Sequence, residues 1–76
     1  MLNKNQVLEM VKNTNVYATS ETGSEAEKNA FNDLNSISNL TNPVLKFVDV
    51  YDDETFELED GTQICDGDSI YILEEK

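Results

Sequence analysis

The chain has 76 residues, with 16 Asp and Glu against 5 Lys, no Arg, no His and a single Cys, for a formal net charge of -11. One domain is all that this length holds, and a chain this small hides only about 60% of its unfolded surface on folding, which leaves its stability marginal. The composition excludes an internal disulfide and, in practice, a structural zinc site, and the acidity weighs against direct contact with nucleic acid or an anionic membrane, both of which demand Lys and Arg.

In chain order, the first expected element is a helix over residues 4–13. Asn3 and Gln6 have the spacing of a capping box, and Val7, Leu8 and Val11 share a face beside Met10. Asn13, Thr14 and Asn15 favour turns over helix and mark its end. Val16 and Tyr17 read as a short apolar contact, and Thr19 to Gly23 as a loop. A second helix is expected over residues 25–38. Ser24 and Glu27 have capping-box spacing, Glu25 and Glu27 suit the positive end of the helix dipole, and Ala26, Ala30, Phe31, Leu34 and Ile37 form one apolar stripe.

Beyond Pro43 the pattern changes to strands. Residues 44–51 are rich in β-branched and aromatic side chains of both parities, the pattern of a central strand covered on both faces. Residues 55–59 alternate, with Phe56 and Leu58 inward and Thr55, Glu57 and Glu59 outward. Asp60-Gly61 and Asp66-Gly67 are turn signals, Thr62 to Cys65 between them reads as a short strand or an irregular excursion, and residues 69–73 make the last strand. The expected architecture is α+β: a helical half (1–42) packed on one face of an acidic antiparallel sheet (43–76) of three or four strands. Phe31, Phe47 and Phe56 are expected in the core.

The charge is concentrated in that second half. Residues 1–48 hold five acids against four Lys, whereas residues 49–76 hold eleven acids against Lys76 alone. Glu57 and Glu59, two apart on one strand, project the same way about 7 Å apart. Asp49, Asp52, Asp53, Glu54, Asp60, Asp66, Asp68, Glu74 and Glu75 surround them at turns and strand ends. Duplex DNA also presents dense, regular negative charge, roughly one per 1.7 Å of axis. A rigid sheet with such a lattice would be drawn into a Lys- and Arg-lined groove. The plainer alternative is a solvated face that keeps a small protein soluble. Against it stands the self-repulsion of the segment, a destabilising feature of the kind that usually accompanies a function. Tyr51 and Tyr71 fall near this surface and read either as interface anchors or as half-buried sheet residues.

Other chemistries find less support. The turns at Asp52-Asp53-Glu54 and Asp66-Gly67-Asp68 are rich in oxygen. The EF-hand spacing fails, however, because Gly61 or Gly67 at the sixth position would put Phe56 or Thr62 at the first. Without His or Arg, acid–base catalysis would fall to carboxylates or Lys. Asp66 and Asp68 disfavour a thiolate at Cys65, the reverse of nucleophile activation, so Cys65 reads as a small core or surface thiol. No Gly-rich phosphate loop occurs. The expected chain is therefore non-enzymatic, with no cofactor and no metal.

In length, in its acidic stranded segment from Asp49 to Glu75 and in its lack of a catalytic set, the chain resembles the small acidic inhibitors encoded by phages and mobile elements. These include anti-CRISPR proteins, anti-restriction DNA mimics and uracil-DNA glycosylase inhibitors. The class shares no motif, so the resemblance assigns no residue. It implies an inhibitor that occupies the basic groove of a nucleic-acid-binding enzyme while binding no nucleic acid itself. Two rival readings are an antitoxin or immunity-type protein that caps a basic toxin, and an assembly module that oligomerises through its helices. No apolar run approaches the ~20 residues of a membrane span, and no basic stretch leading into an apolar one opens the chain. The expected location is thus the cytoplasm, that of the host cell if the protein is phage-encoded.

Overall fold

The computed structural model describes all 76 residues. Its elements run α1 (Lys4–Val11), β1 (Tyr17–Thr19), α2 (Ser24–Ser36), β2 (Pro43–Val50), β3 (Phe56–Glu57), β4 (Gln63–Ile64) and β5 (Ser69–Glu75). The α+β expectation holds, with two helices and antiparallel strands. The strands do not form one meander. β1, β5 and β2 make a three-stranded sheet in that spatial order, and β3 and β4 make a separate two-stranded hairpin. No helix is long and apolar enough to cross a membrane.

β5, not β2, is the central strand. Ile70, Tyr71 and Leu73 are buried along it, as befits a strand whose apolar residues occupy both parities. β2 lies at an edge and carries the marks of one: Pro43, Lys46 and a bulge at Val48, between the pairs Phe47↔Tyr71 and Asp49↔Ile70. Such features discourage further pairing. The edge position also corrects the expectation for Phe47. Its ring meets Tyr71 edge-on at 5.6 Å, but the side chain stays 50% exposed because α2 packs on Tyr71 and Leu73 instead.

At the opposite edge the sequence suggests only an apolar contact and a loop. In the structure Tyr17, Ala18 and Thr19 pair with Tyr71, Ile70 and Ser69. Three residues are too few to display a period of two, so the strand leaves little trace in the sequence. The sheet therefore draws one strand from the N-terminal half.

Both helices begin and end close to where the sequence places them. Asn3 and Gln6 close the expected capping box, the Asn3 N–H donating to Gln6 Oε1 at 2.8 Å and the Gln6 N–H to Asn3 Oδ1 at 2.9 Å. The Ser24–Glu27 box does not form. Gly23, at φ +89°, occupies the cap position, Ser24 lies inside the helix, and the Glu27 N–H donates to the Gly23 carbonyl at 3.2 Å. Ala26, Ala30 and Leu34 are buried as the stripe requires, but Ile37, just past the last turn, is 61% exposed.

The helices do not share a sheet face. Successive side chains of a strand point to opposite faces, and β5 divides its residues accordingly. Tyr71 and Leu73 join Ala30 and Leu34 of α2 in one cluster. Ile70 joins Val7 of α1, Tyr51 and Ile64 of β4 in another. A central strand apolar on both faces needs cover on both. α2 supplies one side, and α1 with the β3–β4 hairpin supplies the other. Full burial of each Val or Ile in these clusters contributes roughly 1.5–3 kcal/mol.

Candidate functional site

The acids of residues 49–76 divide into two groups. One group is bonded inside the fold. Asp49 accepts the Val50 N–H at 2.7 Å and meets the terminal ammonium of Met1 at 3.0 Å. Asp53 accepts the N–H of Lys4, the first residue of α1, at 3.0 Å and that of Glu54 at 2.8 Å. Asp60 accepts the Thr62 N–H at 3.0 Å. These donors hold all three carboxyls below their ordinary value of 3.8: the Val50 N–H first and then Met1 for Asp49, the Lys4 and then the Glu54 N–H for Asp53, and Thr62 for Asp60. Glu75 accepts the Thr41 and Asn42 N–H groups at 2.9 and 2.6 Å, and Glu74 meets Lys46 at 3.2 Å.

Asp68 also belongs to this internal group and leaves the candidate surface. Only 6% exposed, it accepts the Cys65 N–H through Oδ2 at 2.9 Å. Its own carbonyl accepts the Tyr51 N–H at 2.8 Å, and its N–H closes the Cys65–Asp68 turn at 3.0 Å. Tyr51 and Tyr71 leave it as well. Tyr51 is fully buried and Tyr71 is 7% exposed, so neither side chain is free to anchor a partner. Burial, followed by the charges of Asp53, Glu54 and Asp66, pushes the Tyr51 phenol up and keeps it neutral. Its hydroxyl donates to the Glu54 carbonyl at 2.5 Å. Cys65 is half-buried in the same turn.

Asp52, Glu54, Glu57, Glu59 and Asp66 form the second group. Their carboxylates accept no hydrogen bond and join no ion pair within the fold. All five are exposed. The expected alternation is realised locally: Phe56 and Leu58 pack against the cluster around Val7, while Glu57 and Glu59 face outward. The strand itself covers only Phe56–Glu57, and Glu59 with Asp60 belongs to the turn that follows.

No local sequence pattern marks the groove of about 1100 Å³ that lies between α1, β1, the end of α2 and the hairpin. Leu8, Val11, Val16, Ala18, Ile37 and Leu58 give it an apolar lining. Glu9, Asp33, Glu57, Glu59 and Asp60 rim it, with Lys12 as the one cation, held by Glu9 at 3.3 Å. Tyr17 shares this lining, and burial, then Asp33 and Glu21, raises its phenol above the ordinary value. Glu57 and Glu59 thus belong to a concave acidic surface made with residues of the first half, while Asp52, Glu54 and Asp66 lie in and around the Tyr51 turns. No cluster of three or more Cys, Asp or Glu side chains is arranged to hold a metal ion.

Comparison with protein-family models, curated proteins and solved structures finds no match to this chain.

Proposed function

We propose that this is a non-enzymatic binding protein that docks its acidic C-terminal segment against a Lys- and Arg-rich surface of a nucleic-acid-handling enzyme and so blocks that enzyme, as an anti-defence or anti-CRISPR inhibitor would. The observation that carries this reading is the unpartnered set Asp52, Glu54, Glu57, Glu59 and Asp66. Internal bonding accounts for their acidic neighbours; it does not account for these five. They stand on short turns and a hairpin braced by backbone hydrogen bonds, including the Leu58 N–H to the Thr62 carbonyl at 2.8 Å and the Gly67 N–H to the Tyr51 carbonyl at 2.8 Å. Charges of one sign carried on a braced backbone attract a basic groove without a loop first being ordered, which favours association rate and selectivity.

The test is capture from a bacterial lysate at low salt on the immobilised chain, with elution by duplex DNA. The reading expects a nucleic-acid-binding enzyme that the duplex displaces and whose activity the free protein inhibits. Capture only of proteins that the duplex does not displace would contradict it.

A further inference from the structure

We infer that the groove beside β1 is a docking site for an extended segment of a partner protein in which apolar residues alternate with Lys or Arg, the segment adding to the free edge of β1 as a fourth strand. This goes beyond the reading above: the groove shares Glu57 and Glu59 with that acidic set, but the inference concerns the apolar floor and the free edge of β1 and needs no mimicry of nucleic acid.

The two edges of the sheet are treated differently. β2 is blunted by Pro43, Lys46 and the bulge at Val48. β1 has Tyr17, Ala18 and Thr19, pairs only with β5 and carries no proline, charge or bulge. Only its length of three residues blunts this edge; an edge without further protection is a template for an incoming strand, which gains main-chain hydrogen bonds while alternate side chains enter pockets. Here the edge opens onto the groove, since Tyr17 and Ala18 line it. Its volume of about 1100 Å³ lies at or above the upper end of small-molecule sites, roughly 300–1,000 Å³, and suits several residues of chain.

The chemistry of the walls selects the occupant. Leu8, Val11 and Leu58 offer apolar contact, and Ile37 is left 61% exposed at the groove, with no neighbour in the fold to cover it. Asp33, Glu57, Glu59 and Asp60 at the rim face no free cation, because Lys12 is engaged by Glu9. A wholly apolar strand would leave these carboxylates uncompensated, and an acidic one would be repelled. A strand with Lys or Arg at alternate positions turns its cations toward one wall and its apolar residues toward the other, so that Glu57, Glu59 and Asp60 of the hairpin side are compensated while Ile37 is covered on the α2 side.

The probe is a capped seven-residue peptide alternating Lys with Val, titrated into the isotopically labelled full chain and followed by amide chemical shifts. A peptide alternating Glu with Val is the control. Expected are saturable shifts centred on Val16, Tyr17, Ala18 and Ile37 with the Lys peptide and none with the Glu peptide. Glu57→Gln combined with Glu59→Gln should weaken the Lys peptide about tenfold. Neither of those carboxylates holds a bond in the fold, so the variant should remain folded. No saturable shift, shifts centred on Asp52, Glu54 and Asp66, or an equal response to the Glu peptide would overturn the inference. So would the same shifts appearing with protein concentration alone, which would make a second copy the occupant. Capture that the duplex fails to displace would leave this result intact, so the two readings fail separately.

Discussion

Asp68 shows how much one acidic residue contributes to the fold. Its carboxylate, carbonyl and N–H all serve the junction between the Cys65–Asp68 turn and Tyr51. Asp68→Ala leaves the Cys65 N–H without its partner in a nearly closed site, a loss of about 1–3 kcal/mol. At about 4–8 °C per kcal/mol for a chain of this size, the thermal midpoint should fall by several degrees or more. A midpoint within a degree of the parent would show that the turn stands without it. Asp53 makes a pH-dependent contribution. Its carboxyl lies below its ordinary 3.8 because the Lys4 and Glu54 N–H groups favour the charged form. A carboxyl lowered in the folded state stabilises the fold above its unfolded pKa and loses that contribution as pH falls through the folded value. Asp53→Asn should therefore be less stable than the parent at neutral pH, and the gap should close below about pH 4. Thermal midpoints of both proteins from pH 7 to pH 2 test this; a gap independent of pH would assign the effect to shape and not to charge.

At the scale of elements, the turns were the most legible part of the sequence and the pairing the least. Asp66-Gly67 is a turn for the reason the sequence suggests. Gly67 sits at φ +90°, and the carbonyl of Cys65 accepts the Asp68 N–H across it. A Cβ there would meet nothing within 4 Å, so the cost of Gly67→Ala is backbone strain alone, about 1–2 kcal/mol in urea unfolding. A neutral substitution would mean that the turn relaxes to another conformation. The helices were legible because their apolar stripes span several turns, whereas β1 was not, because three residues cannot display a strand period. The strand order was hidden for a related reason. β2 and β5 are both apolar on both parities, and only the cover supplied by α2 on one side and α1 with the hairpin on the other makes β5 central. The acidic turns were legible as acidic, but which carboxylates are free depends on partners distant in sequence. Lys4 beside Asp53 and Thr41 beside Glu75 are such cases. The groove combines residues of both helices, β1 and the hairpin, so no local pattern announces it.

For the whole molecule, net charge governs behaviour in solution. The structure measures 34 × 27 × 21 Å, and the Debye length is about 30 Å at 0.01 M salt and about 10 Å at 0.1 M. In dilute salt every carboxylate senses the others across the whole body; at moderate salt only near neighbours interact. The thermal midpoint near neutral pH should rise between those concentrations, and a flat or falling midpoint would show that the internal bonds already offset the repulsion. The central claim, that unpartnered carboxylates of the second half meet a basic partner, is tested most directly by the affinity of the duplex-displaceable enzyme for two double variants of equal charge change. Glu57→Lys with Glu59→Lys reverses two free carboxylates, and Glu25→Lys with Glu27→Lys reverses two in the first turn of α2. Circular dichroism is needed to check the second variant, because lysines at a helix N-terminus cost about 0.3–1 kcal/mol each. Like charges brought together across an interface cost several kcal/mol, so the first variant should lose affinity by a hundredfold or more, at about 1.4 kcal/mol per tenfold, while the second stays close to the parent. Equal losses would reduce the interaction to net charge, and unchanged affinity for the first variant would contradict the account.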